Sequence, residues 1–327
     1  MNSAKLFVGR FDLKLFLQNY GLVLSLLLLC VVLSAASDRF LTTSNLLNVL
    51  RQAAVNGIIS VGMMMVILTR GIDLSVGSIL ALSTVIASDL LLRPEVPLVG
   101  ALSPLGAIFI SLLIGGSLGA VNGLLISGLG IPPFIATLGM MTFARGAALF
   151  YTGGRPITGL GDLGEGFRYL GSGVILEIPV PIFVTAFVLI GAYVLLNHTP
   201  LGRYIYSLGN NTEAARLSGL SVRQVLVFVY VASGVLAALA GVILTGRLNS
   251  AQPTAGTFFE FDAIAAVIVG GTSFTGGIGT IWGTLVGVLI IAVINNGLNL
   301  MNVSTFYQDI TKGLVIALAL LLYRVIR

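Results

Sequence analysis

Residues 49–92 read VLRQAAVNGIISVGMMMVILTRGIDLSVGSILALSTVIASDLLL. Two apolar runs, 49–69 and 75–92, flank a short polar break, R-G-I-D-L-S. A membrane-crossing helix needs about 20 mostly apolar residues. Each run therefore has roughly the length of a span, and the break is the turn between them. Arg70 opens that turn and Asp73 sits inside it. A charge at the bilayer centre costs roughly 2.5–3.5 kcal/mol, so the turn is expected to place Asp73 near the membrane interface. There Asp73, Gly71 and Ser75 would brace a re-entrant turn or face the inner side. Direct contact with a transported solute is the alternative.

The same pattern extends along the chain. Of 327 residues, 57% are hydrophobic and only 9% charged, with mean hydropathy +1.05. A soluble domain carries about 25% charged residues, so most of this surface must face lipid. Spans are expected at 20–36, 49–69, 75–92, 101–127, 132–151, 178–197, 225–246, 263–275, 279–298 and 308–325. The eighth and ninth are short and interrupted by Gly270-Gly271 and Gly276-Gly277. The expected fold is an all-α membrane protein with about ten transmembrane helices and short re-entrant or interrupted segments, residues 1–327 forming one transmembrane domain.

Charge sets the orientation, since Lys and Arg near span ends stay inside. Lys5, Arg10 and Lys14 mark residues 1–19 as a cytoplasmic segment. Ten spans return Arg324 and Arg327 to the same side. Loop 198–224 also falls inside, with Arg203, Arg216 and Arg223 against the single acid Glu213. Asp38, Asp89, Glu95, Asp162, Glu165 and Glu177 fall outside. The run Leu22–Ala36 ends in Ser34-Ala35-Ala36, a pattern shared with cleaved leaders. The many spans that follow favour a retained first anchor.

Several chemistries are excluded. Lysine occurs only at 5, 14 and 312, so no G-x-x-x-x-G-K-[ST] phosphate loop exists. With one cysteine (Cys30) and one histidine (His198), a disulfide within the chain and the usual thiolate or imidazole metal sites are ruled out. No hydrolytic motif is present, so neither catalytic nor metal-ligating residues are expected. The net charge of +5 lies at the ends of apolar runs and is not a nucleic-acid footprint.

Other features have defined local roles. Gly115, Gly119 and Gly123 share a helix face, as do Gly283 and Gly287. Small residues permit close helix approach in lipid, so these are expected to pack helices. Arg145, inside the fifth run, must face the bundle interior or reach an interface. Loop 153–177 is glycine-rich and reads either as a solvated connector or as a docking surface for an external partner. In the inner loop, Asn211 suits a helix N-cap, Glu213 the positive end of the dipole and Gly219 a C-terminal stop. A short capped helix is expected there. Asparagine offers both a donor and an acceptor to a polar solute. Asn56, Asn122, Asn295 and Asn299, with Asn249 and Gln252 at the outer end of the seventh run, are the candidates for a solute path.

The segment Glu213-Ala214-Ala215…Gly219 resembles the coupling segment of ABC importer permeases, although the I-x-L-P continuation of some members is absent. RGIDLSVGS (70–78), IPPFIATLGMM (131–141), TPLGRYIYSLG (199–209), NSAQPTAGT (249–257), FDAIAAVIVGGTSFTGG (261–277) and NNGLNL (295–300) resemble ribose-type permeases of that family. Phe258-Phe259 departs from the glycine and tyrosine more usual there. The resemblance implies a permease for ribose or a related monosaccharide in the bacterial cytoplasmic (inner) membrane, both termini cytoplasmic. It also implies a second permease copy, a cytoplasmic ABC ATPase and a periplasmic sugar-binding protein. ATP and Mg would sit on the ATPase, and this chain would bind no cofactor. Arg203, Asn210, Glu213, Ala214, Ala215, Arg216 and Gly219 would then form the ATPase-coupling surface. Alternatives are a permease for another pentose or hexose, autoinducer-2 or a nucleoside; a branched-chain amino acid permease is a more distant sibling. An ion-coupled secondary transporter is a different class, for which Asp73 is the only candidate carboxylate.

Overall fold

The computed structural model describes residues 13–92, 103–161, 164–304, 307, 308, 310, 311, 313 and 314. The chain order is α1 (Leu13–Ala36), α2 (Thr43–Leu68), α3 (Val76–Leu92), α4 (Pro104–Leu129), α5 (Pro133–Thr152) and α6 (Glu165–Ser172). A small hairpin, β1 (Val174–Ile175) and β2 (Ile178–Pro179), leads to α7 (Val180–His198), α8 (Pro200–Asn210) and α9 (Thr212–Leu217). Then come α10 (Val222–Leu248), α11 (Phe259–Val269) and α12 (Ile281–Leu300). α2, α4, α5, α7, α10 and α12 are long and apolar enough to cross a membrane. The fold is that of an all-α membrane protein. The expected tenth span, 308–325, lies mostly outside the described residues.

The surface is built for lipid. Leu28, Leu105, Phe150 and Phe187 are 66%, 76%, 90% and 78% exposed. The interior is built by close helix approach. A Cβ on Gly115 would collide with the Gly234 carbonyl, one on Gly119 with the Tyr230 carbonyl, and one on Gly123 with the Val227 backbone. These contacts bring α4 onto α10. Likewise Gly283 lies against the Gly270 carbonyl and Gly287 against that of Ala266, joining α12 to α11. Both glycine stripes pack helices, as their spacing predicts. α2 runs through the middle, and Ile58 to Leu68 is buried without interruption.

Two expectations change, the extent of the eighth run and the number of helices in loop 198–224. The eighth run does not extend to 275: α11 ends at Val269, and Gly271 turns the chain at φ +85°. Its 11 residues reach only about 16 Å, half the roughly 30 Å hydrocarbon core. Asp73 is fully buried within the protein, in the segment 69–75 that joins α2 to α3. Loop 153–177 carries α6, whose Gly171 packs on the α10 backbone, followed by the hairpin. Loop 198–224 holds two helices, α8 and α9, where one was expected.

The N-terminal ends of α3 and α11 meet inside the protein. A Cβ on Gly77 would collide with the Gly256 carbonyl and approach Glu260 Oε2 to 2.9 Å. The chain leading to α11 is held by Arg145, whose Nη1 donates to the carbonyls of Pro253 (2.7 Å) and Ala255 (2.8 Å). This satisfies the requirement on a charged residue within an apolar helix: the guanidinium points inward and is hydrogen-bonded.

Candidate functional site

Three polar regions lie along the bundle. The first is a cavity of about 210 Å³ between α2, α10, α11 and α12. Five carboxamides line it: Gln52 and Asn56 of α2, Asn295 and Asn299 of α12, and Gln308 beyond α12. Arg247, Asp262, Val55, Leu244 and Phe259 complete the wall. Gln308 Nε2 donates to Asn299 Oδ1 (2.8 Å) and to the Val303 carbonyl (2.9 Å), which orients one side. The Oδ1 atoms of Asn56 and Asn295 are buried without a hydrogen-bond partner. A buried acceptor left unpaired is costly, and an incoming hydroxyl would satisfy it. At 210 Å³ the space lies below the roughly 300–1,000 Å³ of drug-sized sites. It suits a small polar molecule.

The structure therefore brings together Asn56, Asn295 and Asn299 from the sequence-based candidates. It does not bring the other three there. Asn122 is buried in another network. Asn249 is the exposed left-handed cap of α10, at φ +49°. Gln252 is half-buried in the loop that Arg145 braces. Gln52, Arg247, Asp262 and Gln308 escaped the sequence reading. Gln52 was accessible to it, since Gln52 and Asn56 share a helix face at i, i+4.

The second region surrounds Asp73. Its Oδ1 accepts from the Ser75 backbone N–H (3.0 Å) and hydroxyl, and its Oδ2 accepts from Ser233 of α10 (2.8 Å). Asn122 of α4 donates to Ser75 Oγ (2.9 Å). A Cβ on Gly71 would collide with the Tyr230 hydroxyl and crowd Val66 Cγ1 at 3.0 Å. This network joins the turn 69–75 to α4 and α10.

The third region is the α8–α9 segment. Thr199 caps α8 by accepting from Gly202 N–H (3.3 Å). Asn211 caps α9 by accepting from Ala214 N–H (3.0 Å). Gly219 follows at φ +83°, where its freedom from a Cβ lets the chain turn into α10. Glu213 and Arg216 form an exposed pair, and their hydrogen bonding holds the Glu213 carboxyl below its ordinary range. Ala215 is buried, whereas Glu213, Ala214, Arg216 and Leu217 face outward, as do Arg203 and Asn210 of α8. α8 is tied inward by Tyr206, which donates to the Gly279 carbonyl (2.9 Å). Arg70 also ties it, donating from Nε to the Gly209 carbonyl (2.6 Å) and from Nη2 to that of Asn210 (2.7 Å).

Helix direction separates these regions. From Asn56 to Leu68 along α2, and from Ile281, two residues after Gly279, to Asn295 along α12, the chain advances about 20 Å. The carboxamide cavity and the α8–α9 segment thus lie toward opposite ends of the bundle.

Comparison with known proteins adds the family. A model described as the branched-chain amino acid transport system / permease component matches residues 45–320. The ribose import permease protein RbsC of Bacillus subtilis (strain 168) is 51% identical over 308 residues, 94% of this chain and 93% of that protein. RbsC of Escherichia coli (strain K12) is 46% identical over 314 residues, 95% of each chain. The D-allose transport system permease protein AlsC of the same strain is 40% identical over 317 residues, 97% of this chain and 94% of that one. No solved structure matches.

Proposed function

The chain belongs to the branched-chain amino acid transport system / permease component family, and from that premise we propose that it is the membrane-spanning permease of an ATP-driven importer for ribose or a related monosaccharide. The observation that carries this reading is the 46–51% identity to ribose import permeases over nearly the whole length of both chains. The carboxamide cavity supports it. A sugar presents hydroxyls that both donate and accept, and Asn and Gln side chains do the same. The cavity would form the outer receiving station, fed by a periplasmic binding protein.

In this reading the α8–α9 face docks on a cytoplasmic ABC ATPase, which binds the ATP and Mg, and this chain makes and breaks no covalent bond. About ten spans place both termini in the cytoplasm of the bacterial inner membrane, and two permease copies enclose the path. Another monosaccharide remains the second reading, favoured by the 40% identity to a D-allose permease.

The test is reconstitution in liposomes with an ABC ATPase and a sugar-binding protein. Ribose should accumulate only with ATP and all three components. Accumulation by this chain alone under an ion gradient would overturn the reading.

A further inference from the structure

Three backbone segments far apart in sequence converge beside α8. Gly277 N–H donates to the Leu68 carbonyl (3.0 Å), closing the end of α2 onto the chain before α12. Gly209 packs directly on both: a Cβ there would collide with the Leu68 carbonyl and lie 2.5 Å from Gly277 N. A Cβ on Gly276 would lie 2.6 Å from Arg70 Cγ, and one on Gly277 would collide with Asn210 Oδ1. No side-chain padding separates the three, so a shift of one displaces the others.

Arg70 locks this junction. The last carbonyls of a helix lack intrahelical donors, and a cation is favoured at that end of the dipole. The Arg70 fork meets both needs by holding the Gly209 and Asn210 carbonyls. Arg70 itself sits at φ +67°, a left-handed conformation unfavourable for a residue with a side chain. Such strain persists where the surroundings over-determine it. From Arg70 the chain enters the turn that ends at Asp73, whose carboxylate is bonded to α10.

We propose that Arg70 is the positioning residue that carries movement of the α8–α9 segment into the turn 69–75, and so links the ATPase-facing surface to the interior of the bundle. This rests on the importer reading. α9 begins two residues after Asn210, so a push on α9 reaches the Arg70 fork through one helix end. From there the backbone through Gly71 and Ile72 leads to Asp73, which hydrogen bonds join to Ser233 and, through Ser75, to Asn122.

The experiment compares wild type, Arg70→Gln and Arg70→Lys in the complete reconstituted importer, reading sugar moved per ATP hydrolysed. Arg70→Gln should lower that ratio about tenfold while the ATPase still co-purifies with the permease. Arg70→Lys, with a point charge in place of a two-pronged fork, should fall between. A wild-type ratio in Arg70→Gln overturns the proposal. So does loss of ATPase association in parallel with uptake, because Arg70 would then only hold the docking surface in shape. If Arg70→Gln does not insert, Arg70→Lys decides: a lowered ratio supports the proposal and a wild-type ratio overturns it. Failure of wild type to use ATP would instead reject the importer reading.

Discussion

Asn45 of α2 and Asn296 of α12 exchange two hydrogen bonds: Asn45 Nδ2 donates to Asn296 Oδ1 (3.0 Å) and Asn296 Nδ2 to Asn45 Oδ1 (2.8 Å). Both residues are buried, at 9% and 4% exposure. Asn45 Nδ2 also donates to the Phe40 carbonyl (2.9 Å), so the α1–α2 connection is drawn into the same pair. The pair pins the rotation of α12 and thereby sets where the neighbouring Asn295 points.

Breaking that pair on one side leaves a buried amide. Asn296→Leu should destabilise by about 1–3 kcal/mol. The double variant Asn45→Leu/Asn296→Leu should lose less than the sum of the two singles, since removing both partners leaves neither amide of the pair orphaned and only the Phe40 carbonyl loses a donor. Thermal unfolding in detergent would measure this, and strict additivity would reject the pairing.

Around Asp73, the nature of the replacement matters more than its size. Asp73→Ala leaves the hydroxyls of Ser75 and Ser233 without their acceptor inside the bundle. Each orphaned group costs about 1–3 kcal/mol. Asp73→Asn keeps the shape and one oxygen, and the serine hydroxyls can rotate to meet its amide. It should lose less than half as much as Asp73→Ala in the same melting experiment. Equal losses would show that the network is incidental.

The glycine stripe on α4 gives a position-specific contrast. Gly119→Ala places a methyl against the Tyr230 carbonyl, whereas Gly128→Ala, on the same helix, meets nothing within 4 Å. The first should cost about 1–3 kcal/mol through overpacking. The second should be neutral or slightly stabilising, because alanine is the better helix former. Similar stabilities for the two variants would contradict the α4–α10 packing.

The cavity asparagines should be separable from those elsewhere by transport kinetics. Asn56→Ala and Asn295→Ala each remove a buried acceptor. A lost hydrogen bond is worth about 0.5–1.5 kcal/mol, so the apparent KM for sugar should rise roughly 2- to 10-fold. Asn249→Ala, at an exposed cap outside the cavity, should leave the KM unchanged. An Asn249 effect as large as that of Asn56 would move the path away from the carboxamide cavity.

The amino-acid sequence by itself determined that this chain lives in lipid. Scarce charge and apolar runs of span length leave no other solvent for it. It also determined where α2, α4, α5, α7, α10 and α12 lie, that Asn211 and Gly219 bound a short helix, and that the small-residue stripes pack helices, because each is a local property of spacing. Only the tertiary structure decided the rest. Asp73 reads as a turn residue in sequence, and its burial within the protein is seen only in the structure. Ser75 and Ser233 make its burial tolerable, and Ser233 lies 160 residues away. The glycine pair Gly270-Gly271 marks the interruption in sequence, but that α11 ends before it, at Val269, and begins at Phe259 is seen only in the structure. Asn56, Asn295 and Asn299 form one cavity, and Asn122 does not, for a similar reason. Which asparagines face each other depends on helix rotation, and rotation is set by distant contacts such as the Asn45–Asn296 pair rather than by any stretch of sequence read alone.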